Sequence, residues 1–268
     1  MSDKYKEEFA IFGNPIKHSI SPKLHNTAFK LYDINANYIK YKLEDKNILK
    51  KIFLEKNFKG ANITIPFKED AYKQADKIKG IANKIGSVNT YIKDKDKIVG
   101  YNTDAPGFMK SIEEFKDIKK VLIIGAGGTA RAISIALIEE KKDVTVLNRS
   151  ANKLIFFRNI GCKVFDWDNF LLDSFDLVVN TTSAGLEDDT YPVDKNILEN
   201  IFLNSKYAFD CIYSKETPFI NLAKKENLKV KDGLDMLLYQ GILAFELFTN
   251  QKVSDEVIQK IKKEIESN

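Results

Sequence analysis

The chain has 268 residues, 44% of them hydrophobic, which is enough for one large or two modest cores. Its formal net charge of +4 is small against 42 basic and 38 acidic residues that alternate along the chain, so charge gives no argument for nucleic-acid or membrane binding. Two cysteines, Cys162 and Cys211, lack metal or redox spacing and read as reduced buried thiols; the charged opening octad lacks an apolar core of a secretory signal, and no apolar run approaches ~18 residues. The expectation is a soluble cytoplasmic protein.

In chain order, Phe9–Phe12 is a short apolar strand that stops at Gly13. Ser21-Pro22 then reads as a helix start, serine at the N-cap and proline at N1. The helix runs to about Tyr32, with Leu24, Ala28, Phe29 and Leu31 available for its buried side. Ser19 is left over from capping. Beside a helix N-terminus the two hydroxyls could hold a small carboxylate, although Ser19 by itself reads better as a residue bonding its own turn. The only two histidines, His18 and His25, lie here and are read as structural.

Ala36–Leu43 alternates as a strand and Asn47–Asn57 reads as a helix. In Gly60–Lys68 a strand puts Asn62 and Thr64 on one face and Ile63 and Ile65 on the other. Pro66 ends it and begins a helix whose first turn carries Lys68, where the helix dipole disfavours a cation. That cost hints at use, and composition alone makes Lys68 one surface lysine among 39. A strand pair, Gly86–Ile92 and Lys97–Asp104, closes the first domain. A helix to about Phe115 follows, with Thr103 or Asp104 as its cap; on that reading Asp104 needs no further role.

The next stretch organises the rest. Val121–Ile124 is an apolar run bounded by glycine, as in a buried parallel strand. Gly125-Ala126-Gly127-Gly128-Thr129-Ala130 then opens a helix with the spacing of the dinucleotide fingerprint, alanine filling the third glycine slot. Gly125 permits the tight turn, Gly127 lets backbone approach a pyrophosphate, and Ala130 lets the helix pack close to the sheet. A second strand, Val144–Leu147, ends in Asn148-Arg149, with Lys153 one turn on, where NAD sites usually carry a carboxylate. Nothing there repels a 2′-phosphate, and arginine is rare in this chain, three against 39 lysines. Its planar fork suits phosphate, so the site reads as one for NADP.

Further on, a helix from about Ala151, a short strand near Val164, and the strand Phe175–Asn180 ending in the polar loop 181–185 are expected; Thr181 lies where an open α/β sheet binds its ligand. Tyr207–Tyr213 is a buried strand, Pro218–Glu226 a helix, Lys229–Lys231 an edge strand, and two helices follow, a long one from Gly233 and an amphipathic one over Val253–Ile265. Domain joins are placed near Asp104 and Gly233.

Taken together, eight motifs resemble the shikimate dehydrogenase family over nearly the whole chain. They are Gly13-x-Pro-x-x-His-Ser-x-Ser-Pro-x-x-His-Asn26, Asn62-x-Thr-x-Pro-x-Lys68, Gly86-x-x-Asn89-Thr90, Asn102-Thr-Asp104, Gly125-Ala-Gly-Gly-x-Ala-Arg131, Asn148-Arg-Ser150, Asn180-x-Thr-Ser-x-Gly185 and Gly233-x-x-Met-Leu-x-x-Gln240. Thr129 departs from a common alanine, and Ser214–Pro218 lacks a proline that many relatives carry.

The resemblance implies an α/β chain of two domains with a cleft between them: a substrate-binding domain of residues 1–104 and 234–268, and a Rossmann-like NADP-binding domain of residues 105–233. It implies reversible hydride transfer between NADP(H) and 3-dehydroshikimate/shikimate. Ser19, Ser21 and Tyr213 would bind the carboxylate; Thr64, Lys68, Asn89, Asp104 and Gln240 the ring hydroxyls; Lys68 and Asp104 would be the catalytic pair. The cofactor would meet Gly125, Ala126, Gly127, Gly128, Thr129, Ala130, Asn148, Arg149, Lys153, Thr181, Ile212 and Gly233. No metal is implied, and a homodimer is left open. The competing expectations are a quinate/shikimate dehydrogenase of broader substrate or cofactor range, and a non-catalytic sensor of a pathway metabolite.

Overall fold

A computed structural model describes residues 6–213 and 215–267. Most of the charged N-terminal octad, Ser214 and Asn268 lie outside the described residues. The chain divides into two compact units, Met1–Gly107 with Leu237–Asn268, and Phe108–Met236. Among the described residues no helix is long and apolar enough to cross a membrane.

The first unit contains β1 (Glu7–Gly13), α1 (Ser21–Leu31), β2 (Ala36–Lys42), α2 (Leu49–Glu55), β3 (Gly60–Ile63), α3 (Lys68–Gln74), β4 (Lys77–Ile78), α4 (Ala82–Ile85), β5 (Thr90–Asp94) and β6 (Lys97–Tyr101). Its six strands are ordered β2-β1-β3-β5-β6-β4. β1 pairs parallel with β2 and β3, while β5 runs antiparallel to β3 and β6. The carboxyl ends of β1, β3 and β6 and the start of β5 therefore meet at one sheet edge. Phe12, Phe53, Phe58, Ile63, Tyr91 and Ile98 form the core against one sheet face.

α5 (Asp104–Ser111) leads to the second unit: β7 (Lys120–Ile124), α6 (Gly128–Glu139), β8 (Asp143–Leu147), α7 (Ile155–Asn159), β9 (Lys163–Phe165), β10 (Phe175–Asn180), α8 (Lys195–Leu203), β11 (Ser205–Asp210), α9 (Pro218–Lys225) and β12 (Lys229–Lys231). α10 (Leu234–Thr249) and α11 (Asp255–Glu266) follow. The six strands of this unit are all parallel, in the order β9-β8-β7-β10-β11-β12. That is the doubly wound order whose direction reverses between β7 and β10. The period-two alternation of β7 feeds both faces: Val121 and Ile123 pack in one core, Leu122 and Ile124 in the other. Burial on both faces, at about 1.5–3 kcal/mol for each such side chain, requires the helical cover this sheet has.

Several elements differ from the sequence reading. α1 starts one residue earlier than expected, with Ile20 at the N-cap and Ser21 already helical. Leu31 is 43% exposed rather than buried. β3 ends at Ile63, so Thr64 is not a strand residue and Ile65 is exposed. The helix over 47–57 is a 3-10 turn, Lys46–Ile48, followed by the shorter α2. α5 ends at Ser111 rather than Phe115. Cys211 is half-buried. The short β4 and α4 were missed, because elements this short carry no periodicity.

Candidate active site

Lys68 is the first residue of α3. Its Nζ lies 2.7 Å from Asp104 Oδ2, and the two side chains are 14% and 7% exposed. The second carboxylate oxygen, Oδ1, accepts a hydrogen bond from Asn89 Nδ2 at 2.9 Å. The Asn89 amide also donates to Thr103 Oγ1 at 2.9 Å, and its Oδ1 accepts from Thr103 N at 2.8 Å. Gln240 of α10 adds its Oε1, 3.5 Å from both Asn89 Nδ2 and Thr103 Oγ1. An ion pair at this depth holds only when its remaining valences are satisfied, and Asn89 does this for Asp104.

Asp104 does not cap its own helix, nor does Thr103. Asn102 Oδ1 accepts from the backbone amides of Asp104 and Ala105 at 3.0 and 3.3 Å. Asn102 Nδ2 donates to Ser87 O at 3.1 Å, which fixes the amide's orientation. The roles of Asn102 and Thr103 were missed; the signal was asparagine, a preferred capping residue, two positions before the helix.

Beneath the pair, Tyr38 donates to Asn62 Oδ1 at 2.7 Å, and Asn62 Nδ2 donates to Thr90 Oγ1 at 3.1 Å. His25 stacks on Tyr38 with ring centroids 4.2 Å apart. Burial pushes its pKa down to about 3, with Asn62 acting weakly in the opposite sense. Neither ring nitrogen reaches hydrogen-bond geometry with a partner among the described residues. His25 is neutral at pH 7 and belongs to the core.

Ser19 and Ser21 follow β1, and Thr64 follows β3, at the same sheet edge as the ion pair. Ser19 Oγ accepts from Ser21 N at 3.3 Å, so Ser19 does bond its own turn. Ser21 is the first helical residue, so it does not occupy the N-cap. Thr64 N donates to Phe12 O at 2.9 Å, which draws the two loops together.

In the second unit the glycine turn sits at the reversal of strand order. Gly125 has φ +114°, and a Cβ there would lie 2.5 Å from Thr181 Oγ1. Thr181 itself donates from N and Oγ1 to Ile124 O at 2.9 and 2.8 Å. A Cβ on Gly127 would meet nothing within 4 Å. Packing does not require that glycine, and the open space above it suits a phosphate. Gly127 caps α6, whose first turn, containing Gly128, Thr129 and Ala130, holds no acidic residue. Ala126 is buried between strand and helix.

Asn148 is tied to its own loop, Nδ2 donating to Ser150 O at 3.0 Å, while Arg149 and Lys153 are exposed. Ile212 N donates to Asp210 Oδ1 at 3.0 Å, and Gly233 N to Ile212 O at 3.0 Å. Tyr213 follows, half-buried. These placements hang on Asp210, to which the sequence reading gave no role. Its carboxylate also accepts from Thr217 Oγ1 at 2.6 Å and Asn180 Nδ2 at 3.1 Å. Burial pushes Asp210 up to about 6, against these hydrogen bonds. The residues present fit a phosphorylated dinucleotide.

A glycine turn at the switch point of a doubly wound sheet, in a chain whose other sheet edge carries a buried lysine–carboxylate pair, defines the class as a nucleotide-dependent dehydrogenase. Comparison with known proteins narrows it. The family profile described as "Shikimate dehydrogenase substrate binding domain" matches residues 11–91, and "Shikimate 5'-dehydrogenase C-terminal domain" matches residues 233–261. The chain is 46% identical over 246 residues to "Shikimate dehydrogenase (NADP(+))" of Helicobacter hepaticus, covering 91% of each. It is similar to the crystal structure of shikimate dehydrogenase from Aquifex aeolicus, with TM-score 0.87, 33% identity, and 97% and 99% of the two chains covered. The shikimate 5-dehydrogenase of Thermus thermophilus, solved in complex with NADP(H) and shikimate, gives TM-score 0.83 and 31% identity over 96% and 98%. The chain belongs to the shikimate dehydrogenase family.

Proposed function

We propose that this chain catalyses the reversible NADPH-dependent reduction of 3-dehydroshikimate to shikimate, with Lys68 and Asp104 as its catalytic pair. The observation that carries the roles is the 2.7 Å contact between the Lys68 ammonium and the Asp104 carboxylate, buried at the sheet edge and braced by Asn89. NADP, when bound, supplies or accepts the hydride. Reduction of the ketone leaves a developing alkoxide. The Lys68 ammonium stabilises that charge and gives the oxygen its proton; in the reverse direction it removes the proton as the hydride leaves carbon. Asp104 holds the ammonium in place and accepts from a ring hydroxyl. Asn89, Thr64 and Gln240 supply polar groups for ring hydroxyls, and Ser19, Ser21 and Tyr213 those for the carboxylate.

For the cofactor, Gly125 to Ala130 receive the pyrophosphate at the α6 N-terminus. Arg149, with Asn148 and Lys153, receives the 2′-phosphate, and Thr181, Ile212 and Gly233 line the remaining length. Among the described residues neither cysteine is in a disulfide, which suits a reducing, cytoplasmic setting. Sedimentation of the purified chain tests for a homodimer.

The deciding experiment is initial rates with shikimate and with quinate, each with NADP and with NAD. Activity confined to shikimate with NADP supports the proposal. Comparable rates with quinate or NAD make it a broader-range dehydrogenase. Binding of shikimate without turnover in any pair makes it a sensor.

A further inference from the structure

Trp167 is the only tryptophan in the chain, and it is 36% exposed. It follows β9 by two residues. β8 and β9 pair parallel with Leu147 opposite Phe165, and Asn148 N donates to Phe165 O at 3.1 Å. The two strands therefore release residues 148–150 and 166–168 side by side, at the carboxyl edge that also carries Gly125.

The turn that carries Trp167 is locally fixed. Asp166 Oδ1 accepts from Asn169 N at 3.0 Å and Asn169 Nδ2 at 2.7 Å. Phe170 packs edge-on against Phe165, with centroids 5.8 Å apart. With Phe170 turned inward, Trp167 stays outside, and the Arg149 guanidinium lies over its ring, 6.0 Å from the centroid. That is the outer limit of a cation–π contact. The indole thus limits the rotamers of an otherwise exposed arginine and leaves its hydrogen-bonding edge open. A guanidinium stacked by one face and open at its fork is ready for bidentate phosphate binding, with less entropy to lose.

We propose that Trp167 is a positioning residue for the cofactor: its indole face orients Arg149 toward the 2′-phosphate of the adenosine, so that discrimination of NADP from NAD depends on Trp167. The inference rests on the proposed role of Arg149. It assigns to this chain's own Trp167 a specificity role that none of the eight motifs contains.

The sole tryptophan makes the test direct. In the unmodified protein, adenosine 2′,5′-bisphosphate should change the emission of Trp167 saturably, at concentrations where adenosine 5′-monophosphate changes it little. By calorimetry, Trp167→Ala should weaken NADP by about two- to fivefold, the worth of an exposed cation–π contact, and leave NAD unchanged. Trp167→Phe should restore most of the loss. In an Arg149→Ala background, Trp167→Ala should cost NADP nothing further, because the two act as one unit.

Emission indifferent to the bisphosphate overturns the inference without any variant. So does equal weakening of NADP and NAD by Trp167→Ala, which is the mark of a merely structural residue. If Arg149→Ala lowers the NADP preference and Trp167→Ala does not, the inference fails and the Arg149 role stands. If neither changes the preference, both fail.

Discussion

Asn102 Oδ1 accepts the backbone amide of Asp104 at 3.0 Å. With Asn102 satisfying the start of α5, both oxygens of Asp104 are committed elsewhere, one to Lys68 and one to Asn89. Capping and chemistry are thereby divided between two residues that a sequence reading would merge.

Asn102→Ala should therefore act on both. It removes two helix-start hydrogen bonds and orphans Ser87 O, a loss of roughly 2 kcal/mol. Loosening of Asp104 should lower kcat as well. Urea unfolding and saturation kinetics on the same preparation check this. Lost stability with unchanged kcat would confine Asn102 to folding.

Lys68→Ala should lower turnover by about 10²–10⁴, the usual worth of a positioned proton donor. NADP binding should stay within about twofold, because Lys68, at the start of α3, and the glycine turn belong to different compact units. Stopped-flow hydride transfer and cofactor titration separate the two effects. Near-normal turnover would remove Lys68 from the catalytic pair.

Arg149→Ala should weaken NADP by about 10- to 100-fold, the worth of charge-assisted hydrogen bonds to one phosphate. NAD should change little. Competitive titration of both dinucleotides gives the ratio, and parallel losses would sink the 2′-phosphate assignment.

The two units should respond to pH in opposite senses. His25 falls from 6.5 to about 3 on folding. Only the unfolded form binds its proton between those values, so the first unit gains stability as pH rises from about 4.5 to 6. Asp210 rises from 3.8 to about 6. Only the folded form holds its proton in that window, so the second unit loses stability over the same range. Each slope is on the order of 1 kcal/mol per pH unit at most. Amide exchange, read separately in α1 and in β11, should show the opposing trends. His25→Phe should flatten the first and Asp210→Asn the second; a shared trend in both units would contradict the assignment.

The sequence by itself determined a good deal. The apolar run before Gly125 and the glycine spacing after it define a parallel strand, a tight turn and a helix, because those constraints are local. Asn148-Arg149 without a carboxylate specified the cofactor type, and the motif set specified the family. The tertiary structure decided the rest, because it depends on partners distant in the chain. Lys68 and Asp104 are 36 positions apart, and only the antiparallel turn of β5 and β6 beside β3 brings them within 2.7 Å. Asn102, Thr103 and Asp210 looked ordinary because their work is hydrogen bonding across elements. Ser21 and Ser19 looked like a cap and a spare hydroxyl until the backbone showed the helix starting a residue earlier, at Ser21 itself. Trp167 had no local signature at all, and only the register of β8 with β9 places it beside Arg149. Periodicity and spacing record what a residue's neighbours in the chain demand; contacts between strands far apart in sequence leave no such record.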